Sequence, residues 1–95
     1  MKLNTIIEQL EMLAPLSYAE DFDNVGLLTG NSEQEINGIL VCHDVLENVI
    51  NEAIEKKCKL IVCFHPIIFS GLKKITGKTY VERVVIKAIK NDIAI

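Results

Sequence analysis

Apolar residues recur at helical spacing over residues 4–14, where Ile6, Ile7, Leu10, Leu13 and Ala14 share a face and Glu8, Gln9 and Glu11 take the other. Asn4 is the expected cap. Pro15 is the stop, since the residue before proline avoids helical backbone. A polar, acidic loop follows over residues 17–24. Residues 25–29 read as a first strand, closed by the turn Gly30-Asn31-Ser32. Residues 36–43 form a second apolar run of strand length. Asp44-Val45-Leu46-Glu47 then fits a capping box with Asp44 as the cap, opening a helix whose apolar face is Val45, Val49, Ile50, Ala53 and Ile54. Lys56, Lys57 and Lys59 stand at its carboxyl end, where cations suit the helix dipole. Residues 60–64 are apolar throughout, as expected of a strand covered on both faces. After a loop over residues 67–78, Thr79-Tyr80-Val81-Glu82 is a second capping box. It opens a helix with a stripe of Val81, Val84, Val85, Ala88 and Ile89 that ends near Asn91. Ile93-Ala94-Ile95 begins a fourth strand.

Strands alternating with helices across short connections predict an α/β fold: an open, mainly parallel sheet with helices on its faces. Residues 1–95 form a single domain in this reading. Its last strand is cut short, so the chain is expected to be the amino-terminal portion of a longer domain. Such sheets bind ligands beyond the carboxyl ends of their strands. That rule nominates Cys42-His43-Asp44, Phe64-His65-Pro66 and whatever follows Ile95. The unpaired apolar edges are also expected to promote self-association.

Composition narrows the function classes. Apolar residues make up 49% of the 95 and charged ones 24%, which is globular and not disordered. The apolar runs are strand-sized, against roughly 20 residues for a membrane span, so no membrane partner is expected. The amino terminus has no signal-peptide core, which predicts the cytoplasm. Net charge is −3 with no basic stripe, which argues against nucleic acid as a partner. The three cysteines, Cys42, Cys58 and Cys63, are odd in number and include no C-x-x-C pair, so neither a disulfide framework nor a zinc knuckle is expected. Cys42 and Cys63 sit in apolar runs and read as buried, inert thiols.

Four segments carry candidate chemistry. Phe64-His65-Pro66-Ile67-Ile68-Phe69 puts an imidazole off the end of a buried strand, where proline blocks the ladder. Such a histidine can hold a metal or move a proton, or it can simply satisfy local backbone groups. Asp23-Asn24-Val25-Gly26-Leu27 either presents polar groups to a ligand or enters a strand as a capped loop. His43-Asp44 offers a weaker ligand candidate in His43, with Asp44 taken as a helix cap. Gly71 to Thr79 ends in Gly-Lys-Thr, but its spacing and its distance from the preceding strand are wrong for a phosphate-binding loop, and it reads as an ordinary loop and cap.

Taken together, Ala14-Pro15-Leu16, Glu20-Asp21-Phe22-Asp23-Asn24-Val25-Gly26-Leu27, Asp44 with its helix, and His65-Pro66-Ile67-Ile68-Phe69 resemble one family across essentially the whole chain. It is the family of NGG-interacting-factor-three-like proteins, dinuclear-metal-centre hexameric proteins also known as GTP cyclohydrolase 1 type 2 homologues. The resemblance implies a considerably longer protein that assembles as a ring-shaped homohexamer with two divalent ions per subunit. Its metal ligands are an adjacent His-His pair before a proline, an aspartate after the next strand, and a carboxy-terminal His and Glu.

Only the His-His pair falls within these residues. Its second histidine matches His65, which makes His65 the expected metal ligand. Its first matches Phe64, which cannot donate to a metal. Asp23 and Asn24 match the family's Asp-Asn segment and are expected, with Phe64, to line the site. The implied function is metal-dependent hydrolysis of the GTP cyclohydrolase 1 type 2 kind, with zinc, manganese or iron as the divalent ions and a nucleotide as substrate. The alternative is a non-catalytic, ring-forming assembly or regulatory protein with a degraded metal site, which Phe64 favours. With one histidine counted as ligand, the 95 residues alone are expected to bind no divalent ion stably and to show no activity.

Overall fold

A computed structural model describes residues 1–20 and 23–95; Asp21 and Phe22, part of the predicted acidic loop and of the family-like segment, lie outside the described residues. Helix α1 (Leu3–Leu13), strand β1 (Ile39–Cys42), helix α2 (Glu47–Glu55), strand β2 (Leu60–Cys63) and helix α3 (Tyr80–Lys90) follow one another, with a 3-10 turn at Leu16–Tyr18. The strands pair in parallel, Ile39 with Leu60 through Cys42 with Cys63. Ala94 extends the sheet by one parallel bridge to Leu60. Its N–H donates to Lys59 C=O at 2.8 Å, and its C=O accepts from Ile61 N–H at 2.8 Å. The fold is thus the expected mixture of helices and a small, open parallel sheet. No helix among the described residues is long and apolar enough to cross a membrane.

Alternation along β2 divides the core in two. Ile61 packs with Val45, Ile50, Ala53, Val84, Ala88 and Ile93 under α2 and α3. Leu60 packs with Leu3, Ile6, Ile36 and Ala94 under α1. Burying an isoleucine fully, as Ile50 is, contributes roughly 1.5–3 kcal/mol. The second face is only partly covered. Val41 is 74% exposed, and Val62 is half-buried, so β2 is not covered on both faces along its length as its composition predicts. The carboxyl half of α1 faces the same open space, with Leu10, Leu13 and Leu16 exposed. Its apolar stripe exists as predicted, but only the amino-terminal half is buried.

Three local expectations change. Residues 25–29 form no strand: Gly26 adopts a left-handed φ of 98°, which breaks the extended run, and only Leu28 and Thr29 exchange backbone bonds with Ile95. Asn4 does not cap α1, which begins one residue earlier. Leu3 and Asn4 N–H groups instead donate to Gln34 and Ser32 carbonyls at 2.9 and 2.8 Å, so a loop does the work of a cap. In α3, Ile89 is exposed while Val84, Val85 and Ala88 are buried, which narrows the predicted stripe.

The second capping box forms as predicted and reaches further. Thr79 Oγ1 accepts from Glu82 N–H at 3.2 Å. The Glu82 carboxylate accepts from Thr76 N–H, Thr76 Oγ1, Gly77 N–H and Thr79 Oγ1. Backbone donation from Thr76, above all, pulls the Glu82 carboxyl down to about 2. These same amides are those a phosphate-binding loop would offer, and here Glu82 occupies them. Arg83 joins α3 to α2 by donating to Glu47 at 2.9 Å, which lowers the Glu47 carboxyl from its ordinary range. Close packing fixes the turn before the sheet as well. Gly30 has φ 127°, and a Cβ there would lie 2.6 Å from the Ala94 side chain.

Candidate metal centre

The two paired strands end in matched sequences, Leu40-Val41-Cys42-His43-Asp44 and Ile61-Val62-Cys63-Phe64-His65. The ladder runs on past the paired cysteines: Phe64 N–H donates to Cys42 C=O at 3.2 Å, and His65 N–H to His43 C=O at 3.0 Å. Continuing the register therefore sets His43 beside Phe64 and Asp44 beside His65. The side chains follow. The His43 and Phe64 rings stack with centroids 5.1 Å apart and planes within 10°. The His65 ring meets His43 edge-on, with centroids 4.5 Å apart.

His65 Nδ1 and Asp44 Oδ1 are 2.7 Å apart, a hydrogen bond in which the imidazole donates to the carboxylate. This corrects the reading of Asp44 as a helix cap. Helix α2 begins at Glu47 with Leu46 at its N-cap position, two residues beyond Asp44, and no side chain caps it. The Asp44 carboxylate turns to the neighbouring strand end instead. Donation from Nδ1 fixes the ring's tautomer and leaves the Nε2 lone pair free for a cation or a proton.

One ligand atom from each of His43, Asp44 and His65 lies within 4.8 Å of the others, and all three residues are exposed. Two nitrogens and an oxygen suit a divalent ion of borderline hardness. His65 thus stands where the sequence places it, off the end of β2 and open to solvent. One partner, Asp44, escapes the sequence reading, and the other, His43, enters it only as a weaker candidate. The capping pattern gives Asp44 to the helix, whereas the register that pairs Cys42 with Cys63 brings both His43 and Asp44 to His65.

The other expected residues gather around one open groove of about 830 Å³ between α1 and the bare face of the sheet, lined by Asp23, Asn24, Phe64, His65, Val62 and Leu13 among others. Asn24 Nδ2 donates to Ile68 C=O, tying the Asp-Asn segment to the loop after Pro66. The Asp23 carboxylate accepts from Glu20 N–H at 3.3 Å and closes its own turn. Phe64 is 74% exposed, so its ring forms an apolar wall and gives no donor. Cys42 and Cys63 are free and half-buried against the α2–α3 core, and Cys63 also borders the groove. Desolvation, the larger cause for each, pushes both thiols up, which keeps them protonated and inert.

The sequence matches the Duf34/NIF3 (NGG1p interacting factor 3) family over residues 1–95. It is 45% identical to NIF3-like protein 1 of Drosophila melanogaster over 95 residues, covering 99% of this chain and 32% of that protein. It is 42% identical to a GTP cyclohydrolase 1 type 2 homolog of Clostridium acetobutylicum over 93 residues, covering 98% of this chain and 35% of that protein. The fold superposes on the crystal structure of the Staphylococcus aureus protein SA1388 with a TM-score of 0.95 at 38% identity, over 99% of this chain and 27% of that one. The chain thus spans about a third of the length of these relatives. It belongs to the Duf34/NIF3 family.

Proposed function

We propose that this chain supplies the first metal-binding segment of a metal-dependent hydrolase of the GTP cyclohydrolase 1 type 2 kind, acting on a nucleotide. In this proposal the subunits assemble as a homohexameric ring, and residues beyond the 95 present here complete a dinuclear centre of zinc, manganese or iron. The observation that carries it is the His65–Asp44 pair at 2.7 Å: a carboxylate holds one imidazole nitrogen and frees the other at the mouth of a groove. The name shared by relatives such as the Clostridium acetobutylicum homolog supports the reaction class. The cytoplasm is the proposed setting, where three free thiols stay reduced.

Each residue has a defined task. His65 presents Nε2 to a cation, and Asp44 keeps the ring turned. Phe64 walls one side, excluding water from part of the groove. Asn24, anchored to the Ile68 carbonyl, holds the Asp23-Asn24 segment against the same opening. Bound divalent ions supply charge stabilisation and acidify water in such sites.

Phe64 favours a second reading, a non-catalytic ring-forming assembly or regulatory protein. A hydrocarbon ring takes the place of one donor, and two-metal centres depend on ligands shared between ions about 3.5–4 Å apart. Metal analysis and nucleotide turnover in a protein carrying this chain at the length of its relatives separate the two. Two ions per subunit with turnover is the expected result. An intact ring with neither metal nor turnover leaves the assembly reading alone.

A further inference from the structure

His65 offers one imidazole, and the sheet brings a second, that of His43, against it. We propose that His43 and His65 jointly hold a single divalent first-row cation, with Asp44 as a positioning residue, so that a nitrogen from the neighbouring strand takes the place of the donor that Phe64 lacks. This rests on the metal reading for His65 and adds a ligand to it.

The geometry carries the assignment. With metal–nitrogen bonds of about 2.05 Å, two imidazoles on adjacent positions of one ion have ring centroids roughly 4.5–5 Å apart. The His43 and His65 centroids are 4.5 Å apart at an interplanar angle of 73°. The placement follows from backbone pairing: the ladder bond from His65 N–H to His43 C=O locks the two residues together at 3.0 Å. Phe64, stacked flat on His43, restricts that ring's rotation and lowers the entropy cost of holding it in place. Asp44 contributes a negative charge beside the ion and settles which His65 nitrogen is free. All three side chains are already exposed, so binding a cation demands no burial of an unpaired charge. Among the described residues the converging ligand atoms come from His43, Asp44 and His65, and the thiols of Cys42 and Cys63 are not among them, which leaves nitrogen and oxygen donors and a borderline ion such as zinc, cobalt or nickel. The protein ligand count rises from the one histidine read in the sequence to two, with water filling the remaining positions.

The test is titration of the 95-residue chain with cobalt(II) and zinc, followed by calorimetry and by the histidine ring signals in NMR. The expected result is one equivalent bound, with both histidine rings perturbed together. His43→Asn should weaken binding at least tenfold and His65→Asn should abolish it. Asp44→Asn should weaken it about 10–100-fold, the usual effect of losing a partner that orients a ligand. Phe64→Leu, which removes no donor but loses the ring stacked on His43, should keep the stoichiometry at one and weaken binding less than His43→Asn does. Thermal melts of each variant check that the fold persists. If His65→Asn abolishes binding while His43→Asn leaves it unchanged, the joint site is overturned and the hydrolase reading stands. If the unmodified chain binds no ion, the joint site is also overturned, and the hydrolase reading is judged separately on nucleotide turnover.

Discussion

Asp44 and His65 lie 21 residues apart in sequence and 2.7 Å apart in space, joined because each sits two positions past a paired cysteine on neighbouring parallel strands. The pair is about half exposed, so its value lies in orientation more than in stability.

The first prediction concerns that orientation. In the neutral form, His65 should carry its proton mainly on Nδ1, because the carboxylate accepts there. Asp44→Ala removes the acceptor and should shift the population mainly to the Nε2–H tautomer, with broadened ring signals. Nitrogen-15 chemical shifts of the His65 ring report both effects. An unchanged tautomer in the variant would show that Asp44 does not hold the ring.

Much of this was legible in the sequence, and the exceptions share a cause. Helix α3 could be read residue by residue because Thr79 and Glu82 cap it locally, within one turn. Asp44 could not. The same Asp-x-x-Glu pattern fits a cap or a free carboxylate, and only the register of two distant strands decides between them. The strand expected at residues 25–29 failed for a conformational reason, the positive φ of Gly26, which side-chain alternation does not report. Leu10 and Leu13 illustrate a third limit. Periodicity says which face of α1 is apolar but not what covers it, and Leu13 is 84% exposed. The place of His65 in the fold, off the carboxyl end of β2, was legible because a buried apolar run followed by proline marks a strand end.

A second prediction follows from the bare face of the sheet. Among the described residues, β1 pairs only with β2, so its outer edge offers unpaired N–H and C=O groups beside the exposed Val41 and Ile39. Edges of this kind recruit further strands unless a charge blocks them. The 95-residue chain should therefore self-associate as its concentration rises. Val41→Lys should raise the dissociation constant at least about tenfold, a change of roughly 1.4 kcal/mol. Light scattering after size exclusion measures it. Equal association of both proteins would place the contact elsewhere.

The third prediction is a pH dependence centred on Glu82. Its carboxyl is held at about 2, against an ordinary value of 4.5, chiefly by the Thr76 N–H and further by the Thr76 and Thr79 hydroxyls. A depressed carboxyl means that the folded chain takes up its proton later than the unfolded chain does. The stabilisation is complete above about 4.5 and drains away as pH falls toward 2, because the unfolded state then binds more protons than the folded one. Denaturant melts should show stability declining with acid across that window. Glu82→Gln keeps the shape but removes the charge. Its melting temperature should be lower at pH 7, and its stability should fall less steeply between pH 4.5 and 2. Glu47, whose carboxyl Arg83 also lowers, remains in the variant and supplies a residual slope. Should the variant and the parent lose stability in parallel as acid is added, the Glu82 hydrogen bonds would not be what links this fold to protons.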